Sequence, residues 1–367
     1  MGWTTSCMDC GRPSGGPLDW RCSCGGALET RVDVEYSSPS REGTVFERFS
    51  DLYPYIPSEE LVSLGETQTP LVKADGALFK LEYLLPTGSF KDRGSCALIS
   101  GVRRELRSKG LGRVKEDSSG NAGASVAAYS ARAGIGCEVF VPAAVSGPKA
   151  LQIQMYGAKL VGVRGSRGDV TIAAQRESEG SAYVGHIWHP YFRDGMRTLA
   201  YEIYEQMGGR LPGRVYLPVS AGTLLLGFLS GLGHLKESGS VDRLPEVVAC
   251  QTEEVSPLHR KLMGLPYRPP EGVDTLADAL VSTSPPLLKH MATRLKEEGG
   301  RTEVVGEAEL LQAWRELAGK GFYVEPSSAV PYACLERAPE GERAGSLVIL
   351  TGSGLKSRQE ALRRALG

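Results

Sequence analysis

Ten residues decide how this chain folds: the stretch PTGSFKDRGS at positions 86–95. Its only lysine, Lys91, lies between a Gly-Ser loop and a segment with helical spacing, where Leu98, Val102 and Leu106 recur every four residues. Most lysines are solvated surface charges, and spacing alone allows that interpretation here too. A helix N-terminus and partial burial, however, both disfavour the charged form of an amine, which suits an amine that reacts with a carbonyl group.

Outward from this stretch, short apolar segments alternate with helical segments. Strands are predicted at 71–73, 78–82, 114–116, 137–141, 159–163, 215–218, 247–250 and 347–350. Helices are predicted at 93–109, 122–133, 148–156, 170–179, 196–207 and 223–235. This alternation is typical of parallel βαβ units, so we expect an α/β fold. The polar, proline-containing stretch 265–272 is predicted to be a long surface loop.

The composition disfavours several classes of function. The 367 residues carry 42 Lys and Arg against 43 Asp and Glu, a net charge of −1 that gives no electrostatic footprint for nucleic acid or an anionic membrane. No apolar run is long enough to span a bilayer, and Met1-Gly2-Trp3-Thr4 does not begin a signal peptide. We therefore expect a soluble, cytoplasmic protein that acts on a small molecule. Its eight cysteines are then expected to be thiols or metal ligands.

Four of these cysteines form two close pairs near the start of the chain. Cys7 and Cys10 are separated by two residues, whereas Cys22 and Cys24 are separated by one. Four thiolates on two turns can surround a tetrahedral zinc ion, although the second pair is one residue shorter than a usual knuckle. The alternatives are four free thiols and a nucleic-acid zinc ribbon. The ribbon is disfavoured because the segment carries only two arginines.

Two small-residue turns join a predicted strand to a predicted helix. They are Ser118-Ser119-Gly120-Asn121 and Ser220-Ala221-Gly222-Thr223. A helix N-terminus offers free backbone N–H groups and the positive end of the helix dipole, so each turn is a candidate anion site. Ser and Asn are also ordinary N-cap residues, and an ordinary turn explains the residues equally well without further information.

Five motifs together resemble the threonine synthase branch of the fold-type II (tryptophan synthase β-like) pyridoxal-phosphate enzymes. They are GETQTPL at 65–71, SFKDRG at 89–94, SSGNAG at 118–123, EPSSA at 325–329 and TGSGLK at 351–356. The resemblance runs from about Cys7 to Lys356, and the motifs occur in the family's order. It implies a two-domain α/β enzyme with mostly parallel sheets, a bound pyridoxal phosphate and, in many members, an N-terminal cysteine cluster. Any zinc at Cys7, Cys10, Cys22 and Cys24 is expected to be structural.

The resemblance assigns roles to individual residues. Lys91 would bind the cofactor covalently and act as the catalytic base. The cofactor phosphate would lie against Ser220, Ala221, Gly222 and Thr223. Asn121 would hydrogen-bond the ring hydroxyl oxygen, and Thr351 would face the pyridine nitrogen. A neutral hydroxyl there makes the ring a weaker electron sink than an aspartate would.

The resemblance also implies a reaction, which is the conversion of O-phospho-L-homoserine and water to L-threonine and phosphate. Ser118 and Ser119 would hold the substrate α-carboxylate. Two positions depart from the family: Ala122 stands where better-known members have a threonine, and Phe192 stands where they have an arginine. Other cations could hold the leaving phosphate, namely Lys149, Arg167 and Arg193. Alternatively the substrate differs, and the activity is β-replacement on O-phosphoserine (cysteine or cysteate synthesis) or threonine/serine dehydration.

Three histidines, His186, His189 and His234, are possible acid–base groups. Isolated histidines are more often structural, and with Lys91 available as a base none of them is required. Asp117 occupies a place where the family usually has a small residue, and the sequence offers no reason for that charge.

We expect three structural parts. Residues 1–35 form the zinc-ribbon-like element with its four cysteines, 36–97 together with 201–367 form the large cofactor-binding domain, and 98–200 form a smaller mobile domain that carries the carboxylate loop. The expected assembly is a homodimer.

Overall fold

The computed structural model describes residues 2–38 and 42–366. In these residues the strands are β1 (Trp3–Cys7), β2 (Leu28–Val32), β3 (Leu71–Ala74), β4 (Ala77–Lys80), β5 (Arg113–Glu116), β6 (Gly136–Pro142), β7 (Lys159–Val163), β8 (Ser181–Tyr183), β9 (Arg214–Pro218), β10 (Glu246–Thr252), β11 (Arg301–Val305) and β12 (Ser346–Ile349). The helices are α1 (Val45–Arg48), α2 (Lys91–Ser108), α3 (Asn121–Ala133), α4 (Pro148–Met155), α5 (Arg167–Gln175), α6 (Pro190–Gly195), α7 (Arg197–Gln206), α8 (Thr223–Glu237), α9 (Pro257–Leu262), α10 (Leu288–Glu297), α11 (Glu307–Gly319), α12 (Pro326–Glu336), α13 (Glu340–Arg343) and α14 (Gln359–Leu366).

The chain divides into two compact units. The first is drawn from Met1–Gln68 and Lys91–Thr198, and the second from Thr69–Phe90 and Leu199–Gly367. The segment before Gln68 therefore lies with the unit that was predicted as the smaller domain, and the N-terminal cysteines lie there too. Hydrogen bonds hold this segment to the first unit. The Tyr129 hydroxyl on α3 donates to Glu66, and the main-chain N–H of Val62 donates to Ser100 Oγ on α2 over 2.9 Å.

The first unit contains a four-stranded parallel sheet in the order β7-β6-β5-β8. A separate antiparallel pair, β1 with β2, carries the N-terminal segment. The connecting segment around α1 buries its aromatic residues, including Phe46, Phe49 and Tyr53, within this unit. Because the strands are parallel, their carboxyl ends meet at one edge of the sheet, and the loops that follow β5, β6 and β8 share that edge.

The second unit contains a six-stranded sheet in the order β11-β10-β9-β12-β4-β3. Only β3 runs antiparallel to its neighbour. Its apolar core is built around Phe79 of β4, whose ring stacks on Phe322 with centroids 5.1 Å apart. The strands β9 and β12 are adjacent, so the turns that follow them lie side by side at the carboxyl edge.

The predicted α/β fold with parallel sheets is confirmed, and most predicted strands and helices match to within two residues. Helix α5 lies earlier in the chain than the predicted 170–179, since it runs from Arg167 to Gln175. The strands β1, β2, β8 and β11 and the helices α1, α6 and α9 to α14 were not predicted. The stretch 265–272 forms neither helix nor strand, as expected. Among the described residues, no helix combines the length and the apolar character needed to cross a bilayer.

Candidate active site

The carboxyl edge of the first unit's sheet gathers most of the predicted substrate-binding residues. Ser118 and Ser119 follow β5, Lys149 lies in the first turn of α4 after β6, and His186 follows β8. Ligands of open α/β sheets bind at this edge, where strand ends and helix N-termini point their N–H groups into a crevice. The fold thus brings together residues that are far apart in sequence.

Lys91 and Asn121 begin two helices that pack on each other. Lys91 is the first residue of α2 and Asn121 is the first residue of α3. The two helices are joined near their N-terminal ends, because the buried hydroxyl of Ser125 donates to Asp92 Oδ1 over 2.6 Å. Asn121 is buried, whereas Lys91 is half-buried. This hydrogen bond fixes the start of one helix relative to the start of the other.

The carboxylate loop folds back over the first turn of α3. A Cβ atom on Gly123 would lie 1.8 Å from the main-chain oxygen of Ser118, so only glycine fits at this position. The main-chain N–H of Gly120 donates to Ser118 Oγ over 3.3 Å. The loop therefore holds its shape through contacts of its own, with Ser118 and Ser119 half-buried.

Phe192 packs beside Lys91. Its ring is fully buried, and the Nζ atom of Lys91 lies 5.9 Å from the ring centroid. Gly94, one turn along α2, admits the ring, since a Cβ there would lie 2.7 Å from Phe192. An apolar aromatic wall thus stands next to the amine, at the place where the resemblance implies an arginine.

In the second unit, the turn Ser220–Thr223 joins β9 to α8. Gly222 adopts a left-handed conformation (φ 93°) as the N-cap residue, and no side chain caps the helix. A Cβ atom on Gly222 would lie 2.3 Å from Met291 Sδ, so the close approach of the backbone requires glycine. The first backbone N–H groups of α8 have no partner within the helix and are suited to a phosphate group.

Thr351 follows β12, the neighbour of β9, and is buried. Its Oγ1 lies 2.8 Å from Ser328 Oγ at the N-terminal end of α12, and the main-chain N–H of Gly352 donates to the same Ser328 oxygen over 2.8 Å. The main-chain N–H of Phe90, the residue before Lys91, donates to the Thr351 carbonyl over 3.0 Å. The strand end that carries Thr351 therefore holds the loop that leads into Lys91.

The structure accounts for the charge of Asp117. Its Oδ1 accepts the Tyr183 hydroxyl over 3.0 Å, and its Oδ2 accepts from Thr171 Oγ1 over 2.6 Å. Arg167 forms an ion pair with Oδ2 over 3.2 Å. Asp117 thus joins β5 to α5 and β8. Its ion pair engages Arg167, one of the three cations considered for the substrate phosphate.

Arg193 is also engaged elsewhere. The guanidinium is 5% exposed and donates to the main-chain oxygens of Ile187 over 2.6 Å and Trp188 over 3.1 Å. It also donates to the main-chain oxygen of Leu28 in β2. Burial lowers the pKa of Arg193 to about 10. These bonds tie α6 to the N-terminal hairpin and give Arg193 a structural role, in place of the substrate contact predicted for it.

The four N-terminal cysteines lie together. Cys7 Sγ is 3.5 Å from Cys24 Sγ, and Cys10 Sγ is 3.7 Å from Cys22 Sγ. All four sulfurs lie within 4.8 Å of one another. Ligand sulfurs at about 2.3 Å from zinc stand roughly 3.8 Å apart in a tetrahedron, so the set matches a four-cysteine zinc site in donor type and spacing. All eight cysteines are free of disulfide bonds.

The cysteine segment is anchored to the end of the first unit that carries Phe192. His189 Nε2 donates to the Pro17 carbonyl over 3.1 Å, and the main-chain N–H of Tyr191 donates to His189 Nδ1 over 3.3 Å. Burial lowers the pKa of His189 to about 3, and the positive charge of Arg193 acts in the same direction. The ring is therefore neutral, with its proton on Nε2. A second proton would face the Tyr191 N–H.

Comparison with known proteins agrees with this geometry. The family model described as pyridoxal-phosphate dependent enzyme matches residues 62–352. The chain belongs to that family. Threonine synthase from Methanocaldococcus jannaschii is 32% identical over 97% of this chain and 94% of its own length. The threonine synthase of Methanosarcina acetivorans is 30% identical over 97% of this chain and 93% of its own length. The threonine synthase of Synechocystis is 33% identical over 83% of this chain and 81% of its own length.

Several solved structures share the fold. Maize serine racemase covers 88% of this chain and 95% of its own, with a TM-score of 0.69 at 20% identity. The processed form of threonine deaminase isoform 2 from Solanum lycopersicum covers 91% and 93%, with a TM-score of 0.69 at 18% identity. At these identities the likeness concerns the fold, which the parallel sheets of both units already indicate.

The residues in place fit the family's cofactor. The α8 N-terminus offers backbone N–H groups with the hydroxyls of Ser220 and Thr223 beside them, which is the chemistry a phosphate group needs. Thr351 presents a neutral hydroxyl paired with Ser328, which lies in the motif EPSSA but had no role assigned from the sequence. Another missed feature is the buried pair of Glu116 and His186, which no local pattern reveals.

Proposed function

We propose that this chain converts O-phospho-L-homoserine and water to L-threonine and phosphate. The observation that carries the proposal is the similarity of nearly the whole chain, cysteine segment included, to archaeal threonine synthases. The geometry supports it, because Lys91 begins α2 beside the α3 N-terminus and the carboxylate loop Ser118-Ser119.

Pyridoxal phosphate, when bound, supplies an electron sink for negative charge that develops on the substrate carbon atoms. Lys91 holds the cofactor and moves protons at Cα, Cβ and Cγ of the substrate. Ser118 and Ser119, with the α3 N-terminus, bind the α-carboxylate, and Asn121 would orient the cofactor ring. The turn Ser220–Thr223 would hold the cofactor phosphate, and the Thr351 hydroxyl would serve the ring nitrogen. Phosphate leaves from Cγ, and the elements of water add across Cβ and Cγ as hydroxyl and proton.

A second candidate is favoured by one observation, the position of the Phe192 ring beside Lys91 Nζ. An aromatic wall in place of an arginine, together with Ala122, suits a smaller substrate, as in β-replacement on O-phosphoserine or dehydration of threonine or serine. Steady-state assays with phosphohomoserine, phosphoserine and threonine side by side distinguish these activities. Phosphate release with threonine formation from phosphohomoserine alone supports the first proposal, whereas turnover of only the other substrates overturns it.

We further propose a structural zinc ion at Cys7, Cys10, Cys22 and Cys24, because donor type and spacing suit it. A cytoplasmic homodimer is proposed from the resemblance to the family. Sedimentation analysis of the purified holoenzyme tests the assembly, and a mass equal to one chain contradicts it.

A further inference from the structure

A buried His–Glu pair occupies the carboxyl edge of the first unit's sheet. Glu116 is the last residue of β5 and is fully buried, and His186 is 6% exposed. His186 Nδ1 lies 2.6 Å from Glu116 Oε1, and the main-chain N–H of His186 donates to Oε2 over 2.9 Å. Both carboxylate oxygens are thus engaged by one residue, which fixes the plane of the imidazole ring.

This arrangement determines which ring nitrogen can reach a ligand. A carboxylate only accepts hydrogen bonds, so Nδ1 carries its proton toward Glu116. Nε2 makes no hydrogen bond to any residue within 2–38 or 42–366. When the imidazole carries both protons, Nε2–H is a charged donor.

The pair is close to the catalytic lysine. The His186 ring packs edge-on against Phe192, with centroids 5.5 Å apart. Lys91 Nζ lies 5.9 Å from the same Phe192 ring. Glu116 also precedes the carboxylate loop by two residues. One buried aromatic ring is therefore shared by the catalytic amine and the imidazole.

Asp117 lies next to this pair, and the ligand atoms of Glu116, Asp117 and His186 are within 4.8 Å of one another. A metal ion is therefore an alternative ligand for this group. The bonds of Asp117 argue against this. Its two oxygens already accept from Tyr183 and Thr171, and Arg167 brings a positive charge to 3.2 Å. A divalent cation would have to displace these partners and approach a guanidinium. The imidazole is the better candidate for chemistry at this edge.

A phosphorylated substrate needs positive charge near Lys91. Arg167 is paired with Asp117, and Arg193 is bonded to main-chain oxygens. Lys149 stands on the first turn of α4, whereas His186 is in contact with the aromatic neighbour of Lys91. A hydrogen bond from a charged donor to phosphate is roughly twice as strong as a neutral one.

We propose that His186, oriented by Glu116, is the residue that holds the phosphate group of the substrate through Nε2–H. The assignment rests on the proposed function, and it adds a specificity-determining residue to that reaction. Phe192 supplies the apolar wall that keeps water from the pair, and Glu116 acts as a positioning residue.

Ligand binding to the holoenzyme tests the proposal. O-Phosphohomoserine, inorganic phosphate and L-threonine are titrated into the wild type, His186→Asn and, as a matched loss of an imidazole in the second unit, His259→Asn. We expect His186→Asn to raise the Kd of the two phosphate ligands by about tenfold or more and to leave the Kd of threonine within about twofold. His259→Asn should match the wild type.

Melting temperature and cofactor absorbance establish that His186→Asn is folded. Should it not fold, Glu116→Gln serves instead. Its amide NH2 can donate to an unprotonated Nδ1 while its oxygen accepts the main-chain N–H, so Nε2–H becomes a neutral donor, and phosphate ligands should bind about threefold more weakly or worse. Unchanged phosphate affinity, or an equal loss for all three ligands, overturns the assignment.

The outcome is separable from the proposed function. A wild type that does not turn over phosphohomoserine contradicts that function, and phosphoserine then serves as the phosphorylated ligand in the same comparison. A wild type that does turn it over, with unchanged binding by the His186 variant, contradicts only the role of His186.

Discussion

Gly123 lies against the main-chain oxygen of Ser118 so closely that a Cβ atom would stand only 1.8 Å from it. Gly123→Ala must therefore displace the carboxylate loop. We expect kcat/KM to fall by about a hundredfold, because a displacement of about 1 Å in a positioning element costs that much. The matched control is Gly233→Ala on α8, where a Cβ would meet no atom within 4 Å. The control should be as active as the wild type, and equal activity of both variants would show that the loop tolerates a side chain.

Lys91 is expected to carry the cofactor. Borohydride reduction of the holoenzyme should fix the cofactor on the peptide that contains Lys91, as mass spectrometry of a digest would show. Lys91→Ala should lower turnover by about 1000-fold or more, since a positioned acid–base group contributes this much. Lys73, an exposed residue of β3, provides the control substitution to alanine and should leave turnover unchanged. Labelling of Lys73, Lys80 or Lys149 would contradict the assignment.

The cysteine cluster is expected to bind about one zinc ion per chain, with a structural role. Treatment with a chelator should lower the melting temperature and leave the cofactor absorbance nearly unchanged. Cys10→Ser should lack the metal, and chelator should not lower its melting temperature further. Metal analysis that finds no zinc in carefully purified protein, with stability indifferent to chelator, would exclude this role.

The neutral ring of His189 makes stability depend on pH. Its pKa is about 3 when folded, against 6.5 as the ordinary value, so the unfolded chain binds the extra proton between these values. The contribution to stability is complete above pH 6.5 and is lost as the pH falls toward 3. Between pH 7 and pH 5 this amounts to about 2 kcal/mol in the free energy of unfolding.

His189→Gln isolates this contribution. The glutamine amide can donate to the Pro17 carbonyl and accept from the Tyr191 N–H, as the imidazole does, but it does not titrate. Urea denaturation at both pH values should show a smaller loss for the variant, by about 2 kcal/mol. An identical loss for both proteins would mean that His189 is protonated in the folded state.

The sequence predicts the strands and loops that carry strong local signals. These signals are the apolar runs of strands such as β6 and β9 and the small-residue turns before α3 and α8. They can be recognised in the sequence because each needs particular residues at adjacent positions. The strand β8 has only three residues, and β11 carries Arg301, Thr302 and Glu303, so neither shows an apolar run. Both are strands because neighbouring strands offer them hydrogen bonds.

The partnership of Glu116 and His186 shows why part of the candidate site was not predicted. Glu116 lies in a short strand, where a glutamate is expected to be solvated, and its partner His186 is 70 residues away in sequence. Only the register of β5 with β8 brings the two together. The bonds of Arg193 were not predicted for a similar reason, because the carbonyl of Leu28 that it binds belongs to a hairpin near the start of the chain.

The bond from Arg193 to Leu28 makes the N-terminal segment inseparable from the rest of the first unit. In a chain shortened to begin at Tyr36, this nearly buried guanidinium would lose its acceptor in β2, and Trp188 would lose the covering side chains of Trp20 and Arg21. A buried cation left short of acceptors costs more than the contact it once made. The first thirty-five residues are therefore an integral part of the first unit rather than a module that can be detached from it.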